Sequence, residues 1–325
     1  MKAFLLAAGR GLRFRPVTER IPKALLPFLN VPLARAHLER LKNAGVTEAG
    51  VNLHHLGHQI EQHLTEGAAD LPKLVFFQEP EILGTAGALR NAAAFLEDGD
   101  FFVVNSDAAI EPDFAELLQA HRASGRAATL CVVENREPGR YTPLQAEGDR
   151  ITAFGVDTPR PLLYTGVCVL APRLLARIPL GEKQLASDLW LPLLSQGREE
   201  VGFVHHEGPF SDLGRPSDFL RASLEALERG GPFPPASGIF SSGPRVLSLE
   251  PVRGFEARQS VLGRGLVGES ARIERSAIFS DVAIGPRALL NGCLLAGGRV
   301  AADAFHENVL LWPDGDGTAT PHRLF

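Results

Sequence analysis

Between Leu6 and Pro27 the chain reads LAAGRGLRFRPVTERIPKALLP, a stretch whose residue types suit phosphate chemistry. Gly9 and Gly11 follow an apolar run. Residues without side chains there let successive backbone amides turn toward the oxygens of a phosphate chain. Arg10, Arg13, Arg15 and Lys23 add positive charge within the same segment, as a polyphosphate requires. Two other glycine-loop patterns fail. G-x-G-x-x-G needs a glycine where Phe14 stands, and no G-K-[ST] follows.

Further candidates lie downstream. Asp107 comes just after the apolar run Phe101–Asn105, and Asp212 precedes a helix expected to start near Pro216. Mg²⁺ takes one or two carboxylates together with phosphate oxygens and water, so both aspartates are candidate metal ligands. A lone aspartate at such a place also serves as a turn former or helix cap. Gly84-Thr85-Ala86-Gly87 suits backbone approach to a planar base, with Thr85 or main-chain amides reading its edge. The same four residues also read as a helix start with Thr85 as N-cap. His54-His55-x-x-His58 lacks a carboxylate or cysteine at ligand spacing and reads as a strand end carrying surface histidines, as does His205-His206. Cys131, Cys168 and Cys293 form no C-x-x-C pair and read as free buried thiols.

The elements that must position these residues alternate in the first 230 positions. Lys2–Ala8, Ala49–Leu53, Lys73–Gln78 and Phe101–Asn105 are short apolar runs expected as strands. Helical spacing marks Pro32–Ala44, a stretch through Ile60 and Leu64, Ala86–Leu96 and Pro112–Arg122. Such alternation predicts an α/β fold whose ligands sit at the carboxyl ends of parallel strands. Gly230–Pro244 (GGPFPPASGIFSSGP) reads as a linker. Beyond it apolar residues recur every six positions at Val261, Val267, Ile273 and Phe279, and again at Ile284 and Leu290, which is the mark of a short β-helix. Its few rungs predict packing on the first domain or on a second subunit.

Composition narrows the class. The 325 residues carry 33 Lys and Arg against 38 Asp and Glu, a net charge of −5, with 45% hydrophobic and 22% charged residues. No basic stripe argues for nucleic acid, and no run approaches the ~20 apolar residues of a membrane span. Ala3–Ala8 is too short for a signal peptide, so a cytoplasmic place is expected.

Gly9-Arg10-Gly11-Leu12-Arg13, then Pro16, Thr18, Pro22-Lys23 and Leu26-Pro27, resembles the signature of the sugar-phosphate nucleotidyltransferases. These enzymes join a sugar 1-phosphate to a nucleoside triphosphate and release pyrophosphate. The resemblance continues through Gly84–Gly87 (nucleobase loop), Val103–Asp107 (strand with the first metal aspartate), Tyr164–Val167 (sugar side) and Ser211–Pro216 (second aspartate). It implies a Rossmann-like nucleotidyltransferase domain with a mixed, mainly parallel sheet over residues 1–229. A linker over 230–244 and a short left-handed β-helix over 245–325 would follow. It implies catalytic roles for Arg13 and Lys23, and nucleotide contacts from Leu6, Ala8, Gly9, Gly11, Gln78, Gly84, Thr85, Gly87 and Asn105. Thr165, Gly166 and Arg160 fall to the sugar phosphate, and Asp107 and Asp212 to Mg²⁺.

The chain is similar to bacterial mannose-1-phosphate guanylyltransferases and N-acetylmuramate-1-phosphate uridylyltransferases. The first expectation is therefore GTP with mannose 1-phosphate. The second is UTP with N-acetylmuramate 1-phosphate or glucose 1-phosphate. A homo-oligomer through the β-helix is also implied. Departures are Leu12 and Phe14 in the loop, Phe210 in place of a tryptophan, and Val156–Pro161, where many members carry a lysine; either Arg160 substitutes for it or the acceptor is held differently. A regulatory subunit that binds nucleotide sugar would be expected to lose Lys23 or Asp107, which are both present. A phosphocholine cytidylyltransferase would need an aromatic pocket that two Trp and two Tyr hardly supply.

Overall fold

The computed structural model describes residues 1–196, 200–229, 240–241 and 245–324. The chain divides into two compact units, one of Met1–Arg10 with Ala34–Phe210, the other of Gly11–Leu33 with Ser211–Phe325.

The first unit is built on a nine-stranded sheet. Its strands in chain order are β1 (Lys2–Leu6), β2 (Glu48–Leu53), β3 (Lys73–Gln78), β4 (Phe101–Asn105), β5 (Ala128–Glu134), β6 (Leu144–Glu147), β7 (Arg150–Phe154), β8 (Leu162–Leu170) and β9 (Val201–His205). Their order across the sheet is β3-β2-β1-β4-β8-β5-β9-β7-β6. The continuous apolar runs are explained by burial on both faces: Ala3, Phe4 and Leu5 in β1 and Val103 in β4 are fully buried. Parallel pairing joins β3, β2, β1 and β4, and also β9 to β5. The other neighbours are antiparallel, because β8 runs against both β4 and β5, and β7 against both β9 and β6. The sheet is therefore mixed, and the expectation of a mainly parallel one holds only for its first half. Pairing direction follows from the connections between strands, which leave no mark on the strand sequence.

Helices form where the spacing places them, at Leu33–Asn43, Gly57–Thr65 and Phe114–Ser124. The last is capped by Asp113, whose carboxylate accepts from the amides of Ala115 and Glu116, each at 2.9 Å. The helix expected over Ala86–Leu96 is two, Gly84–Asn91 and Ala93–Leu96, broken at Ala92. All three cysteines are buried and free. Burial pushes the Cys168 thiol up to about 12 and Cys131 up to about 11, so both stay protonated and inert.

In the second unit, three ladders of short strands carry the six-residue pattern. One runs Val246–Ser248, Ser260–Leu262, Ala277–Ile278, Leu294–Leu295 and Val309–Pro313, another Glu256–Arg258, Arg272–Glu274, Leu289–Asn291 and Phe305–Glu307. The third is Gly265–Val267, Val282–Ile284 and Gly298–Val300. Within each of these runs the pairing is parallel, as in the column Ala257, Ile273, Leu290 and His306. Val261, Ile273, Phe279, Ile284 and Leu290 are buried, as their period predicts, while Val267 is half-buried. Left-handed residues stack in register between strands: Gln259, Arg275, Gly292 and Asn308 form one such column. In another column Arg287 grips Asp303 with two 2.6 Å hydrogen bonds. The linker expected at 230–244 lies outside the described residues except for the strand Phe240–Ser241.

The basic segment 11–33 belongs to this second unit for visible reasons. Phe14 and Phe28 both meet Phe219 edge-on, with ring centroids 5.8 and 5.7 Å apart, and Phe219 also meets Phe279. The Asn30 amide donates to the Leu262 carbonyl at 2.9 Å, and the Arg20 guanidinium lies over the Trp312 ring. Phe14, a departure in the loop signature, is thus a core residue.

Candidate active site

The glycine segment leaves β1 at Leu6. The Leu6–Ala7 peptide is held on both sides. Its carbonyl accepts from the Ser106 amide at 3.2 Å and the Ser106 hydroxyl at 2.7 Å, and its N–H donates to Asn52 Oδ1 at 2.7 Å. Ala8 is buried and Gly9 exposed. From Leu6 the register leads directly to Asn105 on β4. Asn105 Oδ1 is buried with no hydrogen-bond partner among the described residues, an acceptor open to a ligand or water. Its carboxamide lies against the bare backbone of Gly166, where a Cβ would come within 2.7 Å of Asn105 Nδ2. The structure therefore brings Asn105 and Gly166 together. Thr165 is buried, with its hydroxyl donating to the Cys131 carbonyl at 2.9 Å. Asp107 is half-buried in the turn between β4 and the short strand Ala108–Ile110, while Arg160 is exposed just before β8.

At Gly84–Gly87 the close approach comes from the protein itself. A Cβ at Gly84 would collide with the Lys183 carbonyl oxygen, and one at Gly87 with the Gly181 carbonyl oxygen. The amides of Ala86 and Gly87 donate to the Lys183 carbonyl at 2.9 and 3.2 Å, which satisfies orphan donors of the helix's first turn. Thr85 is not the N-cap. Its hydroxyl donates to Gln184 Oε1 at 3.2 Å and accepts from the Leu185 amide at 2.8 Å. Gln78, at the exposed end of β3, donates to Glu61 at 3.0 Å.

In the second unit, Gly11 adopts a left-handed conformation, and its carbonyl accepts from the buried Thr18 hydroxyl at 2.8 Å and the Phe14 amide at 2.9 Å. This closes the loop into a rigid turn. Lys23 is buried and opens the 3-10 turn Lys23–Leu25. Arg13 Nη2 lies 4.0 Å from Asp212 Oδ2, with Gly214 leaving room for the guanidinium. Arg15 faces Glu19 at 3.7 Å, both exposed. Asp212 ends the strand Phe210–Asp212, ahead of the helix Pro216–Arg229. Among the described residues no cluster of three or more His, Cys, Asp or Glu could hold a metal ion. Asp107 and Asp212 offer hard oxygen donors, which is the chemistry Mg²⁺ selects, and it needs only one or two.

Sequence reasoning met Asn52, Ser106 and Gly214 only inside the runs Ala49–Leu53, Val103–Asp107 and Ser211–Pro216, without a role for any of them, and passed over Glu79. A polar side chain inside an apolar strand, as Asn52 is in β2, was the one local signal.

The family model described as nucleotidyl transferase matches residues 2–229. The chain belongs to the nucleotidyl transferase family. It is 34% identical over 251 residues to probable mannose-1-phosphate guanylyltransferase 1 of Oryza sativa subsp. japonica, covering 73% of this chain and 69% of that one. With probable mannose-1-phosphate guanylyltransferase 3 of the same plant the identity is 32% over 311 residues, covering 92% and 79%. The mannose-1-phosphate guanylyltransferase catalytic subunit beta of Danio rerio is 31% identical over 70% of this chain, which spans 65% of that protein. In fold, this nucleotidyl transferase is similar to crystal structures of HddC from Yersinia pseudotuberculosis, one of them complexed with GMP-PN. The TM-score is 0.59 at 23% identity, over 69% of this chain and 98% of that one. The family resemblance read from the loop motifs is borne out. Among the described residues no helix is long and apolar enough to cross a membrane.

Proposed function

We propose that this nucleotidyl transferase joins GTP to mannose 1-phosphate, giving a nucleotide sugar and pyrophosphate. The observation that carries the reading is the likeness to mannose-1-phosphate guanylyltransferases, one of which matches along 92% of the chain. A phosphate oxygen of the sugar 1-phosphate attacks the α-phosphorus, and the bond to the bridging oxygen breaks so that pyrophosphate leaves in line. Bringing two anions together makes positive charge the main requirement. Arg13 and Lys23 supply it to the triphosphate and the departing pyrophosphate, with Gly9 and Gly11 amides alongside. Leu6, Ala8, Gln78, Asn105 and the Gly84–Gly87 turn are assigned to the nucleotide, and Thr165, Gly166 and Arg160 to the sugar phosphate. Mg²⁺, when bound, adds charge on the phosphate oxygens, and Asp107 and Asp212 are each proposed as a carboxylate for it.

The catalytic domain is proposed as residues 1–229, and 245–325 as a short left-handed β-helix that pairs subunits. The three parallel ladders and the six-residue period support the β-helix part of this reading. Pyrophosphate release from four triphosphates against mannose, glucose and N-acetylmuramate 1-phosphates tests the substrates. Fastest turnover is expected with GTP and mannose 1-phosphate. A preference for UTP selects the uridylyltransferase reading, and nucleotide-sugar binding without turnover selects a regulatory subunit.

A further inference from the structure

A buried hydrogen-bond chain connects two of the backbone segments assigned to the nucleotide, and its polarity is set at both ends. It starts at the Ala7 N–H, which donates to Asn52 Oδ1 at 2.7 Å. Asn52 Nδ2 donates to Glu79 Oε1 at 2.8 Å, and the Leu83 N–H donates to Glu79 Oε2 at 3.0 Å. Asn52 is 4% exposed and Glu79 3%. The backbone of Glu79 is pinned as well: its N–H donates to the Leu53 carbonyl and its carbonyl accepts from the His54 ring, both at 2.8 Å.

We propose that Asn52 and Glu79 are positioning residues for the nucleotide. They set the spacing between the Leu6–Gly9 segment and the Leu83–Gly87 turn, an inference that rests on the nucleotide assignment of those two segments. The donor count makes the pair specific. Both ends of the chain are backbone N–H groups, so the two side chains must present an acceptor to each end. Asn52 contributes one acceptor and one donor. Its partner must then be acceptor-only, and among side chains of this length only a carboxylate qualifies. Glutamine at position 79 would turn an NH₂ against either Asn52 Nδ2 or the Leu83 N–H. Flipping Asn52 as well only moves the collision to Ala7. A buried unmade hydrogen bond is costly, so one end of the chain must give way.

The same reasoning names a rescue. In N52D/E79Q the inner bond reverses. The carboxamide then at position 79 donates through its NH₂ to the carboxylate at position 52, and its oxygen accepts from the Leu83 N–H. The carboxylate at position 52 also accepts from the Ala7 N–H. Total charge is unchanged and every donor is satisfied.

The test compares wild type, E79Q, N52D and N52D/E79Q in the full chain. GTP and UTP binding are measured by calorimetry, KM for both substrates by pyrophosphate release, and Tm for each protein. Each single variant is expected to weaken triphosphate binding about tenfold while KM for the sugar 1-phosphate shifts no more than about twofold; the double variant returns to within about threefold of wild type. Wild-type triphosphate affinity in E79Q overturns the proposal. So does a double variant that regains Tm without regaining affinity, which would make the pair purely structural. If a single variant does not fold, the double variant decides: wild-type affinity supports the proposal and weak binding overturns it. A wild-type chain that binds neither triphosphate removes the nucleotide reading itself, an outcome separate from failure of the pair alone.

Discussion

Arg13 and Asp212 face each other at 4.0 Å across the space left by Gly214. A Cβ at position 214 would come within 2.6 Å of Arg13 Nη2 and 3.0 Å of Asp212 Oδ1. The guanidinium is the far end of a flexible, half-exposed side chain and can swing away. The ion pair itself contributes under about 1 kcal/mol at such exposure. Gly214→Ala is therefore expected to keep Tm within a few degrees and to lower kcat about tenfold, if Arg13 meets phosphate. Unchanged kcat would count against Arg13.

Lys23 is buried, so truncation affects packing as well as charge. Lys23→Met keeps the aliphatic stem and removes the ammonium. Steady-state assays should show turnover reduced on the order of 10²-fold with the circular dichroism spectrum intact. A fully active variant would remove the phosphate role of this residue.

Gly87 is constrained by a backbone atom, the Gly181 carbonyl, which cannot step aside as a side chain can. Gly87→Ala is expected to cost about 1–3 kcal/mol in a denaturant titration. Gly87→Val should weaken triphosphate binding further by displacing the 181–185 segment. Wild-type stability and affinity in both would show that the turn tolerates a side chain.

His37 is fully buried, and burial, with Arg40 adding to it, lowers its pKa to about 4; its Nε2 bonds to the Ala108 carbonyl at 2.9 Å. The folded state holds this ring neutral, whereas the unfolded chain protonates it below about 6.5. Protons then favour unfolding, so this contribution to stability is complete above about pH 6.5 and is lost as pH drops toward 4, by on the order of 3 kcal/mol. His37→Gln, which keeps a donor for Ala108, should flatten that part of the stability–pH curve. An unchanged slope would place the acid sensitivity elsewhere.

Chelation should abolish pyrophosphate release and added Mg²⁺ restore it, if the proposed metal is used. Asp107→Asn and Asp212→Asn each remove a charge and keep the shape, so each should lose activity about 10²-fold or more while remaining folded. Activity indifferent to chelator would leave Arg13 and Lys23 as the charge source.

By itself the sequence determined the local elements and the family. The strands Lys73–Gln78 and Phe101–Asn105 were legible to the residue as apolar runs, the second because it is buried on both faces and the first although it is a half-buried edge strand. The six-residue rhythm after residue 260 was legible because its short strands bury one side chain between exposed neighbours, as Ile273 is between Arg272 and Glu274, and the loop motifs carried the family. These are short-range properties, set by a few neighbouring side chains and their backbone preferences. Only the tertiary structure decided which distant groups meet. It put the carbonyls of Gly181 and Lys183 against Gly87 and Gly84, ran Leu162–Leu170 against both its neighbours, and grouped Gly11–Leu33 with the C-terminal ladders. It also joined Asn52 to Glu79, two polar residues that nothing in the chain links until their hydrogen bonds are counted. Such pairings are chosen by packing and by the need to satisfy every buried donor, and a buried donor does not record in its own sequence where its acceptor will come from.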